Sequence, residues 1–227
     1  ISTPGARKVV ADGSGAYFLA DYVSNGPPPV VLLHEEFQKR YGYKYAVPVR
    51  AVPGLQFSGY SYELYKNAQL RAAGWTQNKY DPSAWNYAGK GVGTDTECVL
   101  CTTTDDFDFS GFASEERVNE LKGPLKLRPE YGTQDAGYTM YNYRNIVIGI
   151  DYDKGVLFMH QQPYAEAVLR KFPGGKAVHT PATAAIEKIT NASAEHESFR
   201  KAAVGCLGYK YMCTSPELGS IFRECAS

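Results

Sequence analysis

No stretch of this chain comes near the roughly 18 consecutive apolar residues that a membrane-spanning helix needs, so no such span is expected. An excess of one charge is equally absent: 24 Lys and Arg balance 24 Asp and Glu. Proteins that hold nucleic acid draw most of their affinity from Lys and Arg on phosphates. Zero net charge withdraws compositional support for that class, although charge can still segregate between faces. Cysteine is sparse and odd in number, five residues without a dense framework. That argues against a secreted disulfide scaffold and favours an intracellular setting. Cys98 and Cys101 form a Cys-x-x-Cys, but they fall in a predicted strand, where residues three apart point to opposite faces. No second pair lies at zinc-site spacing, so both read as small buried hydrophobes. The four histidines are scattered and make no ligand motif. No internal repeat and no targeting segment is legible; a chain opening at Ile1 reads as processed or partial.

What the chain does have is length and tyrosine. With 227 residues it can bury a substantial core as one large domain or two small ones. Tyrosine dominates the aromatics, 18 against 10 Phe and 2 Trp. A ring with a hydroxyl suits half-wet surfaces and protein interfaces, and the same rings could stack on bases.

Punctuation and periodicity divide the chain into strands and helices. Residues 8–12 read as a strand by their β-branched content. Asn25-Gly26-Pro27-Pro28-Pro29 is a loop, followed by predicted strands at Val30–Leu33 and Tyr45–Val52. Ser58–Ala73 reads as an amphipathic helix, with Tyr62, Leu64, Tyr65, Ala68 and Ala72 at three- and four-residue steps and Gly74 at its end. Ser114 is the expected N-cap of a helix reaching Lys122, with Glu115 and Glu116 in its first turn. Tyr141–Asp151 and Gly155–His160 read as a second hairpin, and Pro163 opens a helix that ends near Phe172. Residues 176–193 look like a linker, and a last helix runs from about Glu195 to Met212. The mixture predicts an α+β fold.

Thr103-Thr104-Asp105-Asp106 lies between two apolar, β-prone runs, so both acids are expected at the turn of a hairpin. Adjacent carboxylates repel, and a hard divalent cation such as Mg²⁺ would relieve them. The other blocks of the chain fall in an order that gives this pair a context. Lys8-Val9-Val10-Ala11-Asp12 is a strand ending in an aspartate, with an aromatic, Tyr17, five residues on. Val52-Pro53-Gly54-Leu55 precedes the long helix, and Gly74-Trp75 leads to Asp81-Pro82-Ser83-Ala84-Trp85. Further on come Ile148-Gly149-Ile150-Asp151, His160-Gln161-Gln162-Pro163-Tyr164, Leu169-Arg170-Lys171-Phe172, Thr180-Pro181 and Val204-Gly205-Cys206-Leu207-Gly208-Tyr209.

In order and spacing these blocks resemble the reverse transcriptase of copia-type retrotransposons over nearly the whole chain. The resemblance implies a palm, an antiparallel sheet packed on helices, over residues 1–140, and a small helical thumb or connection region over 141–227. It assigns catalysis and two Mg²⁺ ions to Asp12, Asp105 and Asp106, and the nucleotide to Tyr17 and Gln56. It also implies an RNA template and a DNA primer as partners.

Four departures bear on activity. Only Ile1 to Ala11 precede Asp12, where the family has the fingers that grip the triphosphate. The Tyr-Val before the double aspartate is Thr103-Thr104. The Asp-Val-Lys block is Asp12-Gly13-Ser14, which loses a base, and the Leu-Lys-Gln of the helix region is Leu55-Gln56-Phe57. Catalysis of this kind is mostly positioning and electrostatics. The leading expectation is therefore a domesticated reverse-transcriptase-like domain, a non-catalytic interaction subunit in a larger protein assembly. The alternative is an active RNA-directed DNA polymerase. A passive RNA-binding module would need Lys and Arg gathered on one face with exposed tyrosines.

Overall fold

Alternation along the strands decides which way the main sheet faces in the computed structural model, which describes residues 5–88, 96–172 and 194–213. The chain divides into two units: residues 1–134 with 152–155, and residues 135–151 with 156–227.

The first unit is built on a six-stranded antiparallel sheet. In chain order its strands are β1 (Arg7–Gly13), β4 (Thr76–Gln77), β5 (Ala84–Ala88), β6 (Thr96–Thr103), β7 (Asp106–Gly111) and β8 (Leu127–Glu130). Their spatial order is β4-β5-β6-β7-β1-β8. Every second residue turns to one face: Val9 and Ala11 from β1, Phe107 and Phe109 from β7, Leu100 from β6, Trp85 from β5. Phe107, Phe109 and Trp85 are fully buried, and each contributes on the order of 2–3 kcal/mol by leaving water. Two helices close this face, α2 (Ser58–Ala72) through Leu70 and α3 (Ser114–Lys122) through Val118 and Leu121. An excursion between β1 and α2 holds a 3-10 turn (Ala16–Leu19), a two-stranded ribbon of β2 (Val31–Leu32) and β3 (Tyr45–Ala46), and α1 (Glu35–Tyr41) between those strands.

The second unit carries β10 (Tyr138–Tyr143), β11 (Ile146–Asp151) and β12 (Val156–His160) in a four-stranded antiparallel sheet whose last strand is β9 (Thr133–Asp135). Its helices are α4 (Gln162–Lys171) and α5 (Ala194–Cys213). They meet through the Tyr164 and Tyr209 rings, 4.9 Å apart, and the Tyr164 hydroxyl donates to the Cys206 carbonyl at 3.2 Å. Mixed α+β architecture, with antiparallel sheets and five α-helices among the described residues, is thus the observed class. Among the described residues no helix is long and apolar enough to cross a membrane.

Several local expectations need correction. In α2 the expected stripe holds only in part: Tyr62 is buried and Tyr65 packs against the core, but Leu64, Ala68 and Ala72 are exposed, and the buried residues are Ser58, Ser61, Tyr62, Lys66 and Leu70. A lysine sits among them because Glu63 and Thr102 satisfy its ammonium group. Ser114 is not the N-cap of α3. Ala113 holds that place, and the Ser114 hydroxyl is buried without a partner. Tyr141–Asp151 is not one strand, because Arg144 and Asn145, at φ 52° and 60°, make a two-residue hairpin turn between β10 and β11. Tyr45–Val52 is not one strand: it forms β3 at Tyr45–Ala46 and a single bridge from Arg50 to Asp21, and α1 had no sequence expectation at all. Cys98 is buried and Cys101 exposed, on opposite faces of β6, so only the first is a buried hydrophobe. The 176–193 linker and Thr180-Pro181 lie outside the described residues.

Candidate functional site

Register places the acids. Across four neighbouring strands Thr103, Asp106, Asp12 and Arg128 stand directly opposite one another in one row. Opposed residues in an antiparallel ladder share a face, so Asp106, Asp12 and Arg128 lie on the side of the sheet away from the helices. The Gly13 amide donates to the Asp105 carbonyl at 2.7 Å, which makes Gly13–Asp105 the hydrogen-bonded pair. Asp12 and Asp106 are therefore a non-hydrogen-bonded pair, whose Cα atoms approach to about 4.5 Å and whose side chains crowd.

The turn of this hairpin is Thr104-Asp105, so Asp106 opens β7 and is not at the turn as the sequence suggested. Thr104 takes a left-handed backbone, φ 52°, which costs a β-branched residue on the order of 1–2 kcal/mol. Asp105 is thereby separated from Asp106, and acts on a different group. That group is Tyr62 of α2, a buried side chain whose hydroxyl has no hydrogen-bond partner. Burial first, then the Asp105 charge, raises the Tyr62 hydroxyl far above the ordinary tyrosine range. Gly13 fits between the two: a Cβ there would lie 3.3 Å from the Asp105 carbonyl oxygen and 3.4 Å from the Tyr62 hydroxyl. Tyr17, on the 3-10 turn, packs its ring 5.9 Å from that of Tyr62. Gln56 is exposed on the loop preceding α2, outside the row of strands.

Cations answer the carboxylates on this face, exposed at Arg128 and buried at Lys8. Arg128 donates from Nε to Asp12 Oδ2 at 3.1 Å and from Nη2 to the same oxygen. Two residue steps along the same face, Lys8 is paired with Asp108, which also accepts from the Ser110 hydroxyl at 3.3 Å. The Asp12–Arg128 pair is half exposed, so its contribution to stability is no more than about 1 kcal/mol. Its consequence is chemical: a guanidinium already stands at Oδ2, one of the two oxygens that Asp12 would offer a divalent cation. Among the described residues no three or more Asp, Glu, His or Cys groups converge as a metal ion requires. With Asp12 held by Arg128 and Asp105 in the turn, outside the row that Asp12 and Asp106 share, the donor set as arranged among the described residues does not fit a two-metal centre.

Arg128 and the role of Tyr62 escaped the sequence reading. Arg128-Pro129 carried a faint signal, since proline within a strand points to a sheet edge, and β8 is the edge beside β1. Tyr62 looked like one more apolar position on a helix. Its orphaned hydroxyl yields a test. Tyr62→Phe removes a buried group without a partner and is expected to stabilise the fold by about 1 kcal/mol at neutral pH. The gain should widen at alkaline pH. A tyrosine kept protonated when folded binds more protons than the unfolded chain above pH 10, so wild-type stability falls as pH rises through that value. Denaturant midpoints at pH 7 and pH 10.5 check both parts; a destabilised Phe variant would mean that the hydroxyl has a partner.

No family model matches this chain, and no curated protein matches it.

Proposed function

We propose that this chain is a domesticated reverse-transcriptase-like domain that works by binding, as a non-catalytic interaction subunit of a larger assembly. On this reading the first unit is palm-like and the remainder thumb- or connection-like. The observation that carries it is Arg128 on Asp12: the carboxylate that the resemblance assigns to metal and catalysis is already committed to a cation of the protein itself. Two sequence features support it. Thr103-Thr104 replaces the aromatic that the family places beside a primer end, and the chain carries 18 tyrosines, of which Tyr43 and Tyr80 are 70% and 88% exposed. Large exposed rings favour partner surfaces.

One observation favours a second reading, an RNA-directed DNA polymerase using Mg²⁺ at Asp12, Asp105 and Asp106. Asp12 and Asp106 project side by side from neighbouring strands, as paired carboxylates must to share ions. That reading requires Arg128 to leave Asp12 and Asp105 to join the pair from its place in the turn. Primer extension on an RNA template with Mg²⁺ separates the two, and the expected outcome is no incorporation.

A further inference from the structure

The excursion of residues 30–50 leaves its apolar groups uncovered. α1 buries none of its residues, and Val30, Leu32, Phe37, Tyr41, Tyr43 and Tyr45 are each more than half exposed. Leu32 and Tyr45 are opposite each other in the ribbon and so share one of its faces. On α1, Phe37 and Tyr41 are one turn apart, their rings stacked at 6.2 Å with 17° between planes. At helical spacing Glu36 and Arg40 form the adjoining row, also one turn apart.

Glu36 and Arg40 have the spacing of an intrahelical ion pair, yet neither belongs to an ion pair among the described residues. The Arg40 guanidinium lies instead over the Tyr41 ring, 5.4 Å from its centre. The exposed strip thus has an acid at its N-terminal end, a base at its C-terminal end and an aromatic pair alongside. Such a strip is complementary to itself turned end for end. A two-fold axis across the helix sets Glu36 of one protomer against Arg40 of the partner subunit, and Phe37 against Tyr41 of the partner subunit. This is the isologous pattern of a closed dimer.

We propose that α1 is a two-fold contact through which this chain pairs with a second copy of itself. A stable interface covers about 800 Å² on each partner, more than seven residues supply, so the contact extends beyond α1; the exposed Leu32 and Tyr45 of the ribbon that brackets the helix in sequence are the apolar residues available to it. The inference goes beyond the proposed function and does not depend on whether the acid row is catalytic.

Sedimentation velocity of the full chain from 1 to 200 µM tests it. The wild type should shift from monomer to dimer over that range. Glu36→Arg and Arg40→Glu each place like charges across the axis and should each weaken pairing at least tenfold. Mixed in equal amounts, the two variants should recover a heterodimer, because one then presents only bases and the other only acids. Glu35→Arg and Lys39→Glu, on the far side of the helix from the aromatic pair, should leave the dimer intact. All four sites are exposed, and unchanged circular dichroism spectra confirm folding. A wild type that stays monomeric, charge variants that pair as well as the wild type, or a mixture that fails to associate would each overturn the proposal. So would a protein or nucleic-acid ligand bound on α1 without self-association. The readout is mass, so the result stands apart from any assay of polymerisation.

Discussion

Gly111→Ala is expected to destabilise the first unit by about 3 kcal/mol or more, the largest effect of any single methyl added to it. A Cβ at this position would lie 2.3 Å from the Glu97 carbonyl oxygen and 2.7 Å from Cys98 Cα. Both are backbone atoms, so no side-chain rotation relieves the overlap. Gly111 also holds φ at +153°, a region that L residues rarely enter. The close approach arises where β7 ends against β6, and there the Phe112 amide donates to the same Glu97 carbonyl at 2.9 Å. Accommodating a methyl means parting β6 and β7, the hairpin whose turn holds Asp105 and whose second strand opens at Asp106. Gly26→Ala is the control, since nothing lies within 4 Å of a Cβ there. Denaturant unfolding followed by tryptophan fluorescence compares the two. Equal midpoints would mean that the end of the hairpin is looser than its geometry implies.

The second large effect is expected at Lys66. Its side chain is 2% exposed, with Nζ 2.6 Å from Glu63 Oε2 and 3.2 Å from Thr102 Oγ1. Removing one partner of a buried pair leaves an uncompensated charge, typically at 3–5 kcal/mol. Glu63 is itself 42% exposed and partly screened, so Glu63→Ala should cost nearer 2 kcal/mol. Lys66→Met keeps the length of the side chain and discards the charge, and should be neutral or mildly stabilising. The double variant should then recover most of the stability that Glu63→Ala loses, giving a coupling of about 2 kcal/mol. Thermal or urea unfolding of the four proteins closes the cycle. A Glu63→Ala variant within about 0.5 kcal/mol of the wild type would show that the ammonium is solvated by another route.

Lys66 also marks where sequence reading failed. Periodicity found α2 and its end at Gly74, because backbone punctuation is local. It placed Tyr62 and Tyr65 on the packed side but missed Lys66, because a lysine counts as polar wherever it falls and only tertiary partners reveal that it can be buried. Strand alternation located the Asp105–Asp106 hairpin and set Cys98 and Cys101 on opposite faces for the same local reason. Left-handed turns at non-glycine residues, Thr104 and Arg144-Asn145, displaced the expected boundaries. Asp12 was legible as the end of a strand; its partner was not, because pairing with Asp106 rather than Asp105 depends on where the hairpin turns. Nor was Arg128: a contact across 116 residues depends on strand order, which no local pattern encodes. α1 was missed because its seven residues are too few for periodicity to register and none is buried.

On the proposed reading, Arg128 stands at Asp12 in place of a metal and the fold binds without catalysing. The most direct test is extension of an oligo(dT) primer on poly(rA) with Mg²⁺, comparing the intact chain with Arg128→Ala and Asp106→Asn. No incorporation by any of the three is the predicted result. Incorporation by the intact chain or by Arg128→Ala that vanishes when Asp106→Asn is introduced into the same background would contradict the claim, and would make the acid row a working polymerase site.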